Sequence, residues 1–154
     1  MKHRVKFLQP TLGHVRAVAL SMREIDRIEC ETIGGHDPET ALRNSIKRSE
    51  WAVTAEVDDE PICIFGVAPV TYLGDAALPW MLGTDGIERH NRLVLRHSRR
   101  WVDKMIDSYP RLCNIVHADN EVSIRWLQWC GFRIDPPTVI QGEPFRPFSK
   151  VRLH

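Results

Sequence analysis

Apolar and polar residues alternate along some stretches of this chain and recur every three or four positions along others, and each change of period marks an element. Val5–Leu8 reads as a short strand stopped by Gln9-Pro10. Thr11 or Gly13 then opens a helix whose apolar positions, Val15, Val18, Met22 and Ile25, keep helical spacing. The other side carries Arg16, Arg23, Glu24, Asp26, Arg27 and Glu29, a pattern that predicts a solvated face with charge partners one turn apart. Gly34-Gly35 breaks the helix. Asp37-Pro38, a capping side chain followed by proline at the first helical position, begins a second helix that runs to about Ser49.

Trp51–Val57 alternates as a strand, Asp58-Asp59-Glu60-Pro61 turns, and residues 62–70 form the antiparallel partner, with Gly66 as the expected site of a bulge. A further strand is expected over residues 76–82, interrupted by Pro79. Gly83-Thr84-Asp85-Gly86 leads into a long helix over residues 87–109, with Asp85 and Glu88 spaced as a capping box. Val94, Trp101, Val102, Met105 and Tyr109 share its apolar face, and Pro110 ends it.

Residues 115–132 are the most informative run. Ile115 and Val116 suit a buried strand, and Asp119 and Asn120 are residue types that accept backbone N–H groups at a helix start. Val122, Trp126 and Trp129, with Ser123 and Cys130 beside them, predict one apolar stripe, while Glu121, Arg125 and Gln128 lie off it. Gly131 stops the helix, since glycine takes the left-handed conformation without steric cost, and Phe132-Arg133-Ile134 restarts a strand. Beyond it, Asp135-Pro136-Pro137 and the loop Gln141-Gly142-Glu143-Pro144 flank a weak strand, and residues 148–153 form the last one.

Composition narrows the function. The chain has 154 residues, enough for one ordinary domain with its own core, and that single domain is the expectation. With 21 Lys and Arg against 20 Asp and Glu, the net charge of +1 supplies no global attraction to nucleic acid or an anionic membrane. Cys30, Cys63, Cys113 and Cys130 lie far apart and read as reduced core residues, so neither a metal site nor a disulfide framework is expected. No stretch reaches the ~20 apolar residues of a membrane span.

The closing run resembles that of the GCN5-related N-acetyltransferase (GNAT) superfamily: Asn120, the small Ser123, the apolar Trp126, and Gly131-Phe132 eleven positions after the asparagine. The order of elements over the whole chain is similar as well. The resemblance implies an α+β fold with a mixed, mostly antiparallel central sheet of about six to seven strands and about four helices. It also implies acetyl-CoA as the cofactor, with its pantetheine arm between two splayed strands and its pyrophosphate at the next helix. The candidate cofactor-binding residues are then Leu82, Gly83, Thr84, Arg89, Arg92, Asn120 and Ser123.

Two family features are missing. Leu127 stands where the family usually has the tyrosine that protonates the departing thiolate. The glycine-rich phosphate cradle is replaced by Leu82-Gly83-Thr84-Asp85-Gly86-Ile87-Glu88, whose two carboxylates oppose an anion. Arg89, Arg92, Arg96, Arg99 and Arg100 offer guanidinium groups for phosphate, although arginines on a long helix read first as a solvated face. Asp75, Glu29, Glu31 and His117 are the nearest candidates for a base, and each also fits a turn, surface or strand-end role.

A narrower likeness, carried by Ile87-Glu88-Arg89-His90, Ser98-Arg99-Arg100-Trp101-Val102 and the run from Asn120 to Phe132, is to a phage-encoded branch of the superfamily, the internal virion protein A type of short-tailed phages. That likeness implies a protein partner from phage or host, and a place in the virion or the host cytoplasm. Two readings follow: a degenerate GNAT fold acting through protein contacts, or a working acetyl-CoA-dependent N-acetyltransferase with an atypical phosphate loop. Sequence-specific nucleic-acid binding finds no support, because the basic helix lacks interleaved exposed aromatics.

Overall fold

A computed structural model describes residues 2–70 and 73–153. Among the described residues eight strands form a mixed sheet, and six helices alternate with them along the chain. The chain groups into two compact units, residues 1–68 with 80–89 and residues 69–79 with 90–154.

The first unit contains β1 (Val5–Leu8), α1 (Leu12–Leu20), α2 (Glu24–Gly34), α3 (Pro38–Arg48), β2 (Trp51–Val57), nearly all of β3 (Glu60–Pro69), the second half of β4 (Ala76–Gly83) and the short α4 (Gly86–Arg89). Strand order is β1-β2-β3-β4, with β1–β2 and β2–β3 antiparallel. Thr11 caps α1: its hydroxyl accepts the His14 N–H, and the His14 ring accepts the Thr11 N–H. Asp37 caps α3 by accepting the Thr40 N–H at 2.8 Å, as expected from Asp37-Pro38. The β2–β3 hairpin closes on two residues, Asp58 and Asp59, both at positive φ, the geometry that matches strand twist in a two-residue loop. This turn is tighter than the four-residue one read from the sequence. Lys6 reaches Asp59 and His3 reaches Asp58, which offsets the use of two non-glycine residues there.

Three further sequence expectations change in this unit. The first helix is two helices: the chain breaks at Ser21-Met22-Arg23, where Met22 bridges Thr84 and the Arg23 N–H donates to the Gly83 carbonyl. At and after the break Arg23 and Asp26, expected in solvent, are buried. Gly66 lies in regular register opposite Ala52, and the irregularity falls instead between Ala55 and Glu56. A Cβ on Gly66 would stand 2.6 Å from the Trp51 carbonyl oxygen, so the glycine answers a close strand approach. The core gathers Val15, Val18, Met22, Cys30, Leu42, Ile64 and Leu82.

The second unit holds the start of β4, α5 (Asn91–Ser108), β5 (Arg111–His117), α6 (Glu121–Trp129), β6 (Arg133–Ile134), β7 (Thr138–Ile140) and β8 (Glu143–Val151). Its strand order is β4-β5-β8-β6, with β7 also on β8. β4 and β5 are parallel and pair only at Ala76–Arg111 and Ala77–Leu112. Two residues on, Pro79 has no N–H to give, and its carbonyl accepts the Asn114 side-chain amide at 2.8 Å. β7 and β8 form a hairpin closed by Gln141 and Gly142, again both at positive φ. β8 therefore begins at Glu143 rather than near 148, and Glu143 and Pro144 are strand residues, not loop.

The long helix expected over residues 87–109 is interrupted at His90, which leaves α4 and α5. Together with the split first helix this gives six helices rather than four among the described residues, and the short β6 and β7 bring the strands there to eight, without changing the fold class. On α6 the buried residues are Ile124 and Trp126, and Trp129, assigned to the apolar stripe, is 48% exposed. Arg99 covers its ring, with the guanidinium carbon 3.8 Å from the centroid.

Candidate cofactor-binding site

Four of the candidate residues, Leu82, Gly83, Thr84 and Arg89, lie in the first unit at the end of β4 and on α4. Leu82 belongs to the core cluster. Gly83 is tied on both sides of its peptide: its N–H donates to Asp26 Oδ2 at 2.9 Å, and its carbonyl accepts the Arg23 N–H at 2.9 Å. Asp26 is 1% exposed and also accepts from Arg23, Nη2 to Oδ1 at 2.8 Å and Nε to Oδ2 at 3.3 Å. Burial raises the Asp26 pKa against the opposing pull of the Arg23 charge and of the bonds to Arg23 and Gly83. Glu88 approaches the far side of the guanidinium, Nη1 to Oε2 at 3.8 Å.

The loop that follows is closed by its own hydrogen bonds. Thr84 N–H donates to the Ile62 carbonyl, Gly86 N–H to the Thr84 hydroxyl, Ile87 N–H to the Thr84 carbonyl, and Glu88 and Arg89 N–H to the Asp85 carbonyl. Thr84, not an Asp85–Glu88 capping box, supplies the side-chain oxygen at this helix start. The two glycines, which in sequence resemble a phosphate cradle, are required by packing. A Cβ on Gly83 would lie 2.9 Å from the Ile62 carbonyl oxygen and 3.0 Å from Cys63 Cβ. On Gly86 it would lie 2.6 Å from Ile62 Cγ2. Arg89 is exposed and faces Glu60 at 3.3 Å.

Arg92, Asn120 and Ser123 lie in the second unit. Arg92 is exposed on the first turn of α5, whose N-cap His90 makes no side-chain cap bond. Asn120 and Ser123 are brought together as cap and capped: the buried Asn120 side chain accepts the Ser123 N–H at 3.3 Å. At the other end of α6, Gly131 has φ 87° and Phe132 N–H returns to the Leu127 carbonyl. Lys150 donates to the Cys130 carbonyl at 2.7 Å, and Arg99 Nε donates to the Trp129 carbonyl at 3.1 Å, two cations at the negative end of the helix dipole. Arg152 does the same for α5, donating to the carbonyls of Ile106 and Asp107.

His117 is 3% exposed; its Nδ1 accepts the Asp119 N–H at 3.1 Å, which leaves Nε2 to face Glu143 at 3.4 Å. Burial pushes the Cys130 thiol up to about 11 and Cys30 and Cys63 to about 12, so these thiols stay protonated and inert. Asp75 and Glu31 are exposed, and Glu29 is half-buried on α2. The residues that hold the strand-end loop, Arg23 and Asp26, were missed from sequence, although Met22, Asp26 and Cys30 recur at four-residue steps and would have placed a carboxylate on an apolar stripe.

The loop thus does not fit the pyrophosphate of coenzyme A in the family manner. Its N–H groups at 83, 84 and 86–89 already have acceptors, its glycines are filled against Ile62, and Asp85 and Glu88 add negative charge. Among the described residues no group of three or more His, Cys, Asp and Glu side chains is placed to hold a metal ion. No helix among them is long and apolar enough to cross a membrane.

No family model and no curated protein matches the sequence. Solved structures do match the fold. An aminoglycoside acetyltransferase in complex with coenzyme A is 12% identical, with a TM-score of 0.65 over 97% of this chain and 95% of the other. A microcin self-immunity acetyltransferase in complex with acetyl-CoA and AMP is 11% identical, with a TM-score of 0.67 over 96% and 92%. Spermidine N-acetyltransferase from Vibrio cholerae, in complex with coenzyme A and spermine, is 13% identical, with a TM-score of 0.65 over 96% and 95%. The chain therefore has the GNAT acetyltransferase fold.

Proposed function

We propose that this chain uses the GNAT fold as a scaffold: a phage protein that acts through protein contacts, as a virion-associated factor or in the cytoplasm of the infected host. The observation that carries this reading is the self-closed loop after β4, where Asp26 takes the Gly83 N–H and Ile62 fills the space beside both glycines. Leu127 in place of the family's tyrosine and the buried, protonated Cys130 beside it support the same reading, since neither readily donates a proton to a thiolate. The second reading, an acetyl-CoA-dependent N-acetyltransferase with an atypical phosphate loop, is favoured by one finding. Neighbours solved with coenzyme A match almost the full length of the chain.

Thermal unfolding with and without millimolar coenzyme A separates the two. A ligand at 100 times its dissociation constant stabilises a native state by about 2.7 kcal/mol, roughly 5–11 °C in a domain of this size. We expect no shift. A shift of several degrees that disappears in the Arg89→Ala, Arg92→Ala double variant establishes the enzyme reading instead.

A further inference from the structure

The α5 helix is 18 residues long, and nothing from Asn91 to Lys104 is buried. Leu93, Val94, Leu95, Trp101 and Val102 are only half-covered; the first buried side chain is Met105. Arg92, Arg96, Arg99, Arg100 and Lys104 are all exposed on this stretch, and no acidic residue interrupts it before Asp103. Arg92 and Arg96 enter no ion pair among the described residues, whereas Arg27, Arg89, Arg125 and Arg133 each face a carboxylate. Three of the cations lie against indole rings: Arg99 over Trp129 at 3.8 Å, Arg100 and Lys104 beside Trp101 at 5.5 and 5.3 Å. Burial lowers the His97 pKa, and the charges of Arg100 and Arg96 lower it further.

We propose that this face of α5, with Trp129 at its margin, is a docking surface for an acidic, amphipathic segment of a protein partner. The proposal rests on the reading that the chain acts through protein contacts, and it names the surface and the partner's chemistry. Planar guanidinium groups match carboxylates in pairs, and arginine and tryptophan are the types that concentrate in the energetic centres of protein interfaces. The half-covered Leu93 and Leu95, which flank the arginines, give the partner apolar surface to bury, which a phosphate backbone cannot use. The footprint is also short. From Arg92 to Lys104 the helix rises about 18 Å; Asp103 already stands within that span, and Asp107 follows it. A nucleic acid, with a charge every ~1.7 Å of duplex axis, would run on past those carboxylates in a chain whose net charge is only +1.

The test is fluorescence anisotropy with a labelled helical peptide of about 14 residues carrying Glu and Leu at helical spacing, beside its Lys-for-Glu counterpart and a single-stranded DNA of equal charge. Two charge-matched variants of the full chain are compared: Arg92→Glu, Arg96→Glu, Arg100→Glu on α5, and Arg43→Glu, Lys47→Glu, Arg48→Glu on α3. The proposal expects the acidic peptide to bind more tightly than the DNA, with affinity falling at least ~10-fold in the α5 variant and less than ~2-fold in the α3 variant. It is overturned by equal losses in both variants, by tighter binding of the DNA, or by no peptide binding below about 1 mM. Coenzyme A added to the same titration distinguishes the two claims. If it stabilises the protein without displacing the peptide, the scaffold reading falls and the docking surface stands; if it displaces the peptide, the surface is a phosphate site and both fall.

Discussion

Replacing Asp26 by alanine is expected to lower the stability of the protein by about 3–5 kcal/mol, the usual cost of leaving one member of a buried ion pair without its partner. Two groups lose the Asp26 carboxylate at once: the Arg23 guanidinium, 5% exposed, which still faces Glu88 at 3.8 Å, and the Gly83 N–H at the end of β4. The Arg23→Met, Asp26→Leu double variant is expected to cost less, about 1–3 kcal/mol, because it removes both charges and leaves only the Gly83 N–H unsatisfied. Urea unfolding of the two variants checks the order. If the double variant is the less stable of the two, the charges themselves hold the joint, and the account of a costly buried pair is wrong.

Phe145→Ala is expected to produce a loss of similar size, about 3–5 kcal/mol, in the other unit. Phe145 is 1% exposed on β8, among the largest fully buried side chains, and its ring meets the buried His117 edge-on at 5.3 Å. Truncation opens a cavity beside an imidazole whose Nδ1 is already committed to the Asp119 N–H. The expected fall in melting temperature is roughly 6–20 °C. A fall under ~3 °C, below about 1 kcal/mol for a chain of this length, would mean that β8 is not part of the cooperative core.

How much of this was legible in the sequence follows from the range of the interactions involved. Caps and stops are local, so Asp37-Pro38, Asn120 and Gly131 declared themselves by residue type and spacing, and each performs the expected task. The period-two runs likewise located the main strands. Long-range partners were invisible. Nothing in the sequence near Arg23 announces that its backbone bonds Gly83 and interrupts a helix, and the one local signal is the four-residue spacing that sets Asp26 between Met22 and Cys30. Trp129 was misplaced for a related reason: its side of α6 is covered by Arg99, thirty residues away, rather than by the core. The candidate loop shows the same limit most clearly. Gly83 and Gly86 read as room for a phosphate, and only the position of Ile62 shows that the room is taken.

We propose that the loop after β4 is held by the chain itself and leaves no place for the pyrophosphate of coenzyme A. Amide hydrogen exchange of residues 83–89, measured with and without millimolar coenzyme A, tests it most directly, since each N–H named above reports its own bond. The account predicts that the amides of Gly83, Thr84 and Gly86 are protected in the free protein and that coenzyme A leaves their exchange unchanged. Rapid exchange in the free protein that slows ~10-fold or more when coenzyme A is added, equivalent to about 1.4 kcal/mol, would contradict it.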